Sequence, residues 1–415
     1  MTLNAASELQ FSSPAGEANY RAARRRYPAQ AIVDLATLRD NMAHLVDVVG
    51  GPHSGTAVMG VVKADAYGHG LLPAALAALA GGATWLGTAQ SHEALLLRKL
   101  GIGPDRCHIL TWVYNGTEVP FDELIAADID VSVGSLPGID AVAAAARKLG
   151  KPARVHVKVD SGFGRNGFTP AGFDAALAKL VPLAKEGVLH IVGQWSHLAV
   201  ADSPDVSEFV SSTDRQIETF KDFTRRMEQA GIPPEIRHLA NTAATLDRPE
   251  IHFELTRPGI GLYGYQPCPE TTPLIELRPA MSVHARITDT RLVPMSEGVS
   301  YGLNYRSPGS VKICTVPVGY GDGLRRGLSS RTDFLVDGVR CRQVGNICMD
   351  QCMFEVDLRS YARRRRVDPQ VGDEVLIVGQ QGDAMVTIEE MCETLGTIPH
   401  ELCIGFAQRM PRYYV

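Results

Sequence analysis

Residues 57–70 read AVMGVVKADAYGHG, and residues 72–80 then read LPAALAALA. Ala57 to Lys63 is a short apolar run of the kind that forms a strand covered on both faces, a glycine-containing loop follows, and Leu72 to Ala80 has helical length. The same rhythm recurs on both sides of this unit. Further candidate strands are Ala31 to Leu35, Trp85 to Thr88, His108 to Thr111, Val131 to Val133, Arg154 to Val159, Leu189 to Gln194, Ile236 to Leu239 and His252 to Leu255. The segments between them that read as helices are Leu38 to Val49, His92 to Leu100, Ile139 to Leu149, Phe173 to Ala184 and Asp214 to Ala230. Strict alternation of β and α segments predicts a parallel sheet covered by helices, and this many units favour closure into an eight-stranded, TIM-like α/β barrel.

After about Pro273 the rhythm changes. Ser282 to Val293, Val311 to Val318, Asp333 to Val336, Cys348 to Val356 and Glu374 to Val378 read as strands joined by Gly, Pro and Asp turns, with little helix before Ile388 to Leu395. That pattern predicts a mostly antiparallel β domain. The expected organisation is an N-terminal arm at 1–27, a barrel at 28–273 and a β domain at 274–415, within the size of a two-domain chain.

The 415 residues carry a net charge of -5, which argues against nucleic acid or an anionic membrane surface as the partner. The short basic runs Arg24 to Arg26 and Arg363 to Arg366 read as solvated surface. No stretch is long and apolar enough to span a membrane, and the first 27 residues lack the apolar core of a secretory signal, so a cytoplasmic location is expected. Eight cysteines without a C-x-x-C pair point to reduced, mostly buried thiols and to no metal site.

Lys63 stands where a buried strand gives way to its loop, and in a β/α barrel the strand C-termini form the reactive face. A desolvated ammonium there loses its proton more easily and can condense with an aldehyde. The run Val61 to Gly70 resembles the cofactor-lysine signature of bacterial alanine racemases of the pyridoxal-phosphate-dependent, β/α-barrel type. The resemblance implies that Lys63 carries pyridoxal 5'-phosphate as an imine and acts as one of two acid–base groups, and that Tyr67 contacts the phosphate.

Similar blocks follow in the expected order to the C-terminus. His156 to Phe168 resembles the segment in which a carbamylated lysine, here Lys158, orients a substrate-binding arginine, here Arg165. Carbamylation turns a cation into an anion, which then holds the guanidinium by a charge-assisted hydrogen bond. By the same resemblance His197 links the second base to Arg257, and Asn241 and Thr242 lie by the cofactor. The N–H groups of Gly259 and Ile260, with Tyr414, complete the phosphate contacts. Arg257 would face the pyridine nitrogen; an arginine keeps its proton, so it leaves the ring a weak electron sink, which suits proton exchange over transamination.

Racemisation needs a base on each face of the α-carbon. Val299 Ser300 Tyr301 Gly302 resembles the motif whose tyrosine supplies the second, and a phenol titrating ordinarily near ~10 must be tuned by its neighbours for that task. In the family this tyrosine, and the methionine matched by Met349 in Cys348 to Gln351, reach the site from a second subunit, which implies a homodimer with composite sites. Met349 joins Arg165 in the substrate contacts, and Tyr320 matches an entrance tyrosine. Asn346 departs from the family pattern, where many relatives have arginine.

The implied activity is an isomerase reaction, interconversion of L- and D-alanine by two-base racemisation of the external aldimine, supplying D-alanine for peptidoglycan. The alternatives are a broad-specificity amino-acid racemase or a barrel-type decarboxylase. A non-catalytic pyridoxal-phosphate carrier would need Lys63 but neither Tyr301 nor His197.

Overall fold

A computed structural model describes residues 27–114, 119–268, 275–356, 367–406 and 409–415. The arm before Tyr27, Arg24 to Arg26, Arg363 to Arg366 and the 273/274 boundary therefore lie outside the described residues. The chain forms two compact units, one of Thr37–Ala66 and Leu71–Arg278, the other of residues 27–36, Tyr67–Gly70 and Pro279–Val415.

The first unit is the eight-stranded parallel barrel. In spatial order its strands are Ala57–Val61, Trp85–Gln90, His108–Val113, Asp130–Val133, Ala153–Lys158, Leu189–Trp195 and Ile236–His238, with Leu255–Thr256 on the far side of Ala57–Val61. Leu255–Thr256 pairs in parallel with Ala57 and Val58. The ring is closed opposite that ladder by the Arg257 N–H donating to the Ala240 carbonyl at 2.9 Å, and by the Arg237 N–H donating to Glu254 Oε2 at 2.8 Å. Along Ala153–Lys158 the residues alternate between Val155 and Val157 on one face and Arg154, His156 and Lys158 on the other. The barrel interior is thus lined by polar and aromatic side chains, with the Trp195 ring stacked 5.8 Å from that of His238.

Helices cover the barrel where the sequence has caps and periodicity. Leu136–Leu149 starts at Ser135, whose hydroxyl accepts from the Gly138 N–H, and stops at Gly150 in the left-handed region, φ 62. It buries Ile139, Val142, Ala143 and Ala146, one stripe at helical spacing. The helix Ser207–Gln229 begins seven residues before the expected Asp214 because its N-terminus has no side-chain cap to mark it.

The second unit is built on a ten-stranded, mostly antiparallel sheet. Its order is Asp289–Val293, Val311–Val316, Cys352–Val356, Val339–Val344, Asp333–Val336, Glu374–Gln381, Met281–Arg286, Ala29–Val33 and Arg412–Tyr414, with Ala384–Val386 on Glu374–Gln381. One expectation is corrected here: the first candidate strand is not a barrel strand. Ala29–Val33 pairs antiparallel with Met281–Arg286 and parallel with Arg412–Tyr414. Among the described residues no helix is long and apolar enough to cross a membrane, no three acidic, His or Cys side chains gather as a metal site, and no disulfide joins any of the eight cysteines.

Candidate active site

The C-terminal ends of five barrel strands deliver the chemistry. Lys63 follows Ala57–Val61, Lys158 closes Ala153–Lys158, Arg165 lies in the loop after it, His197 follows Leu189–Trp195, and Arg257 follows Leu255–Thr256. Thr242 opens a short helix after Ile236–His238, where Asn241 caps it by accepting from the Ala244 N–H at 3.1 Å.

Lys63 begins a turn of unusual hand. Ala64, Asp65, Ala66 and Tyr67 all lie in the left-handed region, with φ between 52° and 55°, although none is glycine. Each such residue costs on the order of 1–2 kcal/mol, so the turn must be held from outside. Glu93, 6% exposed, holds it: one carboxylate oxygen accepts from the Asp65 N–H and the other from the Gln90 N–H. The Asp65 carboxylate then accepts from the Leu71 N–H at 2.7 Å. On the strand side, the Val62 N–H donates to Gly87 O at 2.8 Å, and the Tyr263 hydroxyl to Val61 O at 2.9 Å. Lys63 is anchored on both sides, and burial followed by the charge of Arg165 lowers its ammonium below the ordinary 10.5.

Lys158 is 4% exposed, with Nζ 4.3 Å above the Trp195 ring. Burial, then Arg165 and Arg257, bring it down to about 8. Arg165 is presented by a loop wound around Asp160, whose Oδ1 accepts from the Gly162, Phe163 and Gly164 N–H groups at 2.9–3.1 Å. Gly167 locks the base of this loop: it has φ 113, and an added Cβ would fall 2.8 Å from the Val159 carbonyl carbon. The exposed Arg165 guanidinium lies over Phe163, 4.3 Å from the ring centroid.

Arg257 is 6% exposed and is surrounded by acceptors. Nη2 donates to Ser196 O at 2.7 Å and Leu239 O at 3.2 Å and reaches His197 Nδ1 at 3.4 Å, while Nη1 reaches His238 Nδ1 at 3.4 Å. Burial brings the guanidinium to about 9, still charged at neutral pH. His197 is held well below 6.5 by burial and then by Arg257, Arg165, Lys63 and Lys158. It is therefore a neutral imidazole that accepts at Nδ1 and carries its proton on Nε2. Thr242 Oγ1 accepts from the N–H groups of Gly259 at 3.0 Å and Gly261 at 3.4 Å. The Gly259 N–H, expected to face a phosphate, donates to Thr242 in this structure, and Ile260 opens the short 3-10 helix beyond it.

The remaining expected residues lie in the second unit. Tyr67 is buried, its ring 5.4 Å from that of His400, and burial raises its phenol well above the ordinary range. Tyr414 lies on the last strand, whose Arg412 donates to Gly68 O at 3.0 Å. Tyr301 is 72% exposed in a loop in which Ser300, Gly302 and Leu303 all have positive φ, and Asn346 Nδ2 donates to its carbonyl at 2.6 Å. Asn346 thus holds the Tyr301 backbone, a role its residue type did not suggest. Tyr320 and Met349 lie on adjacent turns: the Tyr320 N–H donates to Cys348 O and the Gly321 N–H to Met349 O, both at 2.9 Å. Arg409 clamps these turns by bridging Asp322 at 2.9 Å and Asp350 at 2.7 Å.

A family model described as the N-terminal domain of alanine racemase matches residues 33–267, and one for its C-terminal domain matches residues 280–414. The chain belongs to the alanine racemase family. It is 41% identical to the alanine racemase of Streptomyces coelicolor over 93% of this chain and 96% of that one, and 41% identical to that of Thermobifida fusca over 93% and 98%. Two solved structures superpose with TM-scores of 0.86: the alanine racemase of the D-cycloserine producer Streptomyces lavendulae, 38% identical over 94% of this chain and 97% of that one, and that of S. coelicolor, 40% identical over 94% and 98%. Family membership and the barrel-plus-antiparallel architecture agree with the sequence reading.

Sequence reasoning missed three groups of the site. Glu93 belongs to a helix capping box after Gln90 and could have been found from that spacing. Asp160 lies within the His156 to Phe168 segment, where nothing in the residue pattern marks it as a collector of backbone N–H groups. The buried His238 beside Arg257 has no local signal at all.

Proposed function

We propose that the chain interconverts L- and D-alanine on pyridoxal 5'-phosphate, with Lys63 and Tyr301 as the two opposed acid–base groups and D-alanine for peptidoglycan as the product in use. One observation carries the reading. Lys63, Lys158, Arg165, His197 and Arg257 are close enough to act on one another's charge, and only Glu93 and Asp160 oppose them among the groups felt by the two lysines. Such an excess of positive charge at the mouth of a barrel suits an anionic ligand, and a lysine amine freed of its proton suits an aldehyde. The donor set therefore fits a phosphorylated aldehyde cofactor with a carboxylate substrate.

Bound pyridoxal phosphate supplies the electron-withdrawing ring that makes the α-C–H of alanine acidic. Arg257 would donate to its ring nitrogen, and Tyr67, Thr242, Ile260 and Tyr414 would hold its phosphate, joined by the Gly259 N–H once it gives up its bond to Thr242, with Asn241 keeping the Thr242 turn in place. Arg165 binds the substrate carboxylate, helped by Met349. Lys63 Nζ takes or returns the α-proton on one face, and the Tyr301 phenol does the same on the other. His197 has its Nε2–H left to stabilise that phenol when it loses its proton, because its Nδ1 already accepts from Arg257. The exposure of Tyr301 on a loop held by Asn346 supports its donation to a second copy of the chain, and hence a homodimer with composite sites.

Exchange of the α-hydrogen of each alanine enantiomer in heavy water tests the assignment. Lys63→Ala should abolish exchange from one enantiomer and Tyr301→Phe from the other, with racemisation lost in both. Wild-type turnover by Tyr301→Phe would remove the two-base scheme, and a purified protein that takes up no pyridoxal phosphate would remove the whole reading.

A further inference from the structure

Beneath the site, a line of buried polar groups runs through the barrel interior from one end toward the other. Arg154 donates to Asp130 from Nε at 2.7 Å and from Nη2 at 3.1 Å. The other face of the row continues from Asp130 Oδ2 to His156 Nε2 at 3.1 Å, from His156 Nδ1 to His238 Nε2 at 2.7 Å, and from His238 Nδ1 to Arg257 Nη1 at 3.4 Å. Asp130, His156 and His238 are each fully buried. Trp85 packs edge-on to His156 and Trp195 stacks on His238, walls that keep water from the row. Room for the His156 ring is made by Gly193 on the neighbouring strand, where a Cβ would fall 2.3 Å from Nδ1, and the pairing of the two strands shifts register at this point.

The ends of this row fix the direction of every hydrogen bond in it. Arg257 has only donors, so His238 must present a bare Nδ1 to it. His238 then carries its hydrogen on Nε2 and donates it to His156, whose Nδ1 must accept. His156 in turn carries its hydrogen on Nε2 and donates it to Asp130, which is held ionised: burial alone would raise its carboxyl, but His156 and Arg154 bring it below the usual range. An added proton on His156 would force His238 to carry its hydrogen on Nδ1, donor against donor at Arg257. In a dry interior that mismatch is expensive, so the row has a single satisfied arrangement.

We propose that Asp130, His156 and His238 are positioning residues for the racemisation: their one-way hydrogen-bond chain fixes the plane and the free donors of the Arg257 guanidinium. The proposal rests on the reading that Arg257 serves the ring nitrogen of pyridoxal phosphate. Among the described residues Arg257 has no carboxylate partner, and the hydrogen-bonded row gives it one at a distance of two imidazoles, close enough to orient the fork and too far to neutralise it. That arrangement keeps the guanidinium a firm donor to a neutral ring nitrogen.

Two measurements on the full-length protein decide the matter. Neutron diffraction, or nitrogen NMR of histidine-labelled protein without and with pyridoxal phosphate, should find the hydrogen on Nε2 of both His156 and His238. A hydrogen on Nδ1 of His238 would overturn the chain. His156→Gln keeps an acceptor and a donor side by side on the terminal amide, whereas His156→Leu keeps neither. His156→Gln should retain kcat within about threefold of the wild type, while His156→Leu should lose on the order of 10–100-fold and transaminate alanine more often per racemisation. Equal damage from both substitutions would overturn the proposal, and if His156→Leu does not fold, the hydrogen positions in the wild type still decide it. A wild type that binds no cofactor would sink the functional reading instead, leaving the hydrogen positions as a separate result.

Discussion

Lys158 offers a quantitative test of the site's electrostatics. Carbon dioxide adds only to an uncharged amine, and the Lys158 ammonium is brought from 10.5 to about 8 by burial and by Arg165 and Arg257. At pH 7 that shift raises the uncharged fraction from roughly 0.03% to about 9%, a gain of about 300-fold over an ordinary lysine. A carbamate formed there would exchange a repelled cation for an anion, facing the same two arginines that lowered the amine. Protein equilibrated with carbon-13 bicarbonate should therefore give one carbamate resonance in the NMR spectrum, absent in Lys158→Arg. Because the uncharged amine is the reactant and the folded value lies near 8, the rate of carbamate formation should fall about tenfold per pH unit below 7. Arg165→Gln removes a positive charge that lowers the Lys158 ammonium and should slow formation at pH 7. A resonance that persists in Lys158→Arg, or no resonance at pH 8, would refute the reasoning.

Two further outcomes concern the scaffold. Gly167→Ala places a Cβ 2.8 Å from the Val159 carbonyl carbon at φ 113, so it should destabilise by roughly 2–4 kcal/mol in urea unfolding and weaken alanine binding through Arg165; an unchanged midpoint would show that the loop accommodates a side chain. Glu254→Gln loosens the ion pair with Arg237 that closes the barrel, at a cost of about 1 kcal/mol after allowing for solvent screening of this part-exposed pair. The Glu254 carboxyl, which burial would raise, is lowered overall by Arg237, so its contribution is present above the ordinary carboxylate range and lost as pH falls through the lowered value. The difference between wild type and variant should accordingly shrink below pH 4.5, and a difference that grows on acidification would contradict the sign.

The barrel was legible because its strands are short apolar runs whose partners are their neighbours in sequence, so local pattern and topology coincide. Asp333–Val336 and Ile388–Leu395 were read to the residue for a related reason, since a turn or a cap bounds each one. Ala29–Val33 was assigned to the wrong sheet because an apolar strand looks alike in either, and its partner, Met281–Arg286, is about 250 residues away. The Val339–Val344 strand was missed because its exposed face carries Arg340 and Arg342, which break the apolar run. In the site, residues inside contiguous motifs could be named. The left-handed turn from Ala64 to Tyr67 could not, because alanine, aspartate and tyrosine give no sign of positive φ. The His156–His238 pair was equally silent, since its two members are 82 residues apart and each reads locally as an ordinary strand residue.

The same electrostatic arrangement serves ligand capture and reactivity, and the two are linked in sign. Burial lowers the Lys63 ammonium first, and Arg165 and Arg257 lower it further because their charges are only partly opposed, by Glu93. An anion bound at the mouth of the barrel adds the missing opposing charge and pushes Lys63 back toward its protonated form. The amine is therefore most available as a nucleophile before the site fills, and most available as a proton donor after it has filled. A base that must also serve as an acid at the same α-carbon gains from that reversal, and Glu93 is placed to moderate it, since its carboxylate raises the Lys63 ammonium while holding the turn that presents it.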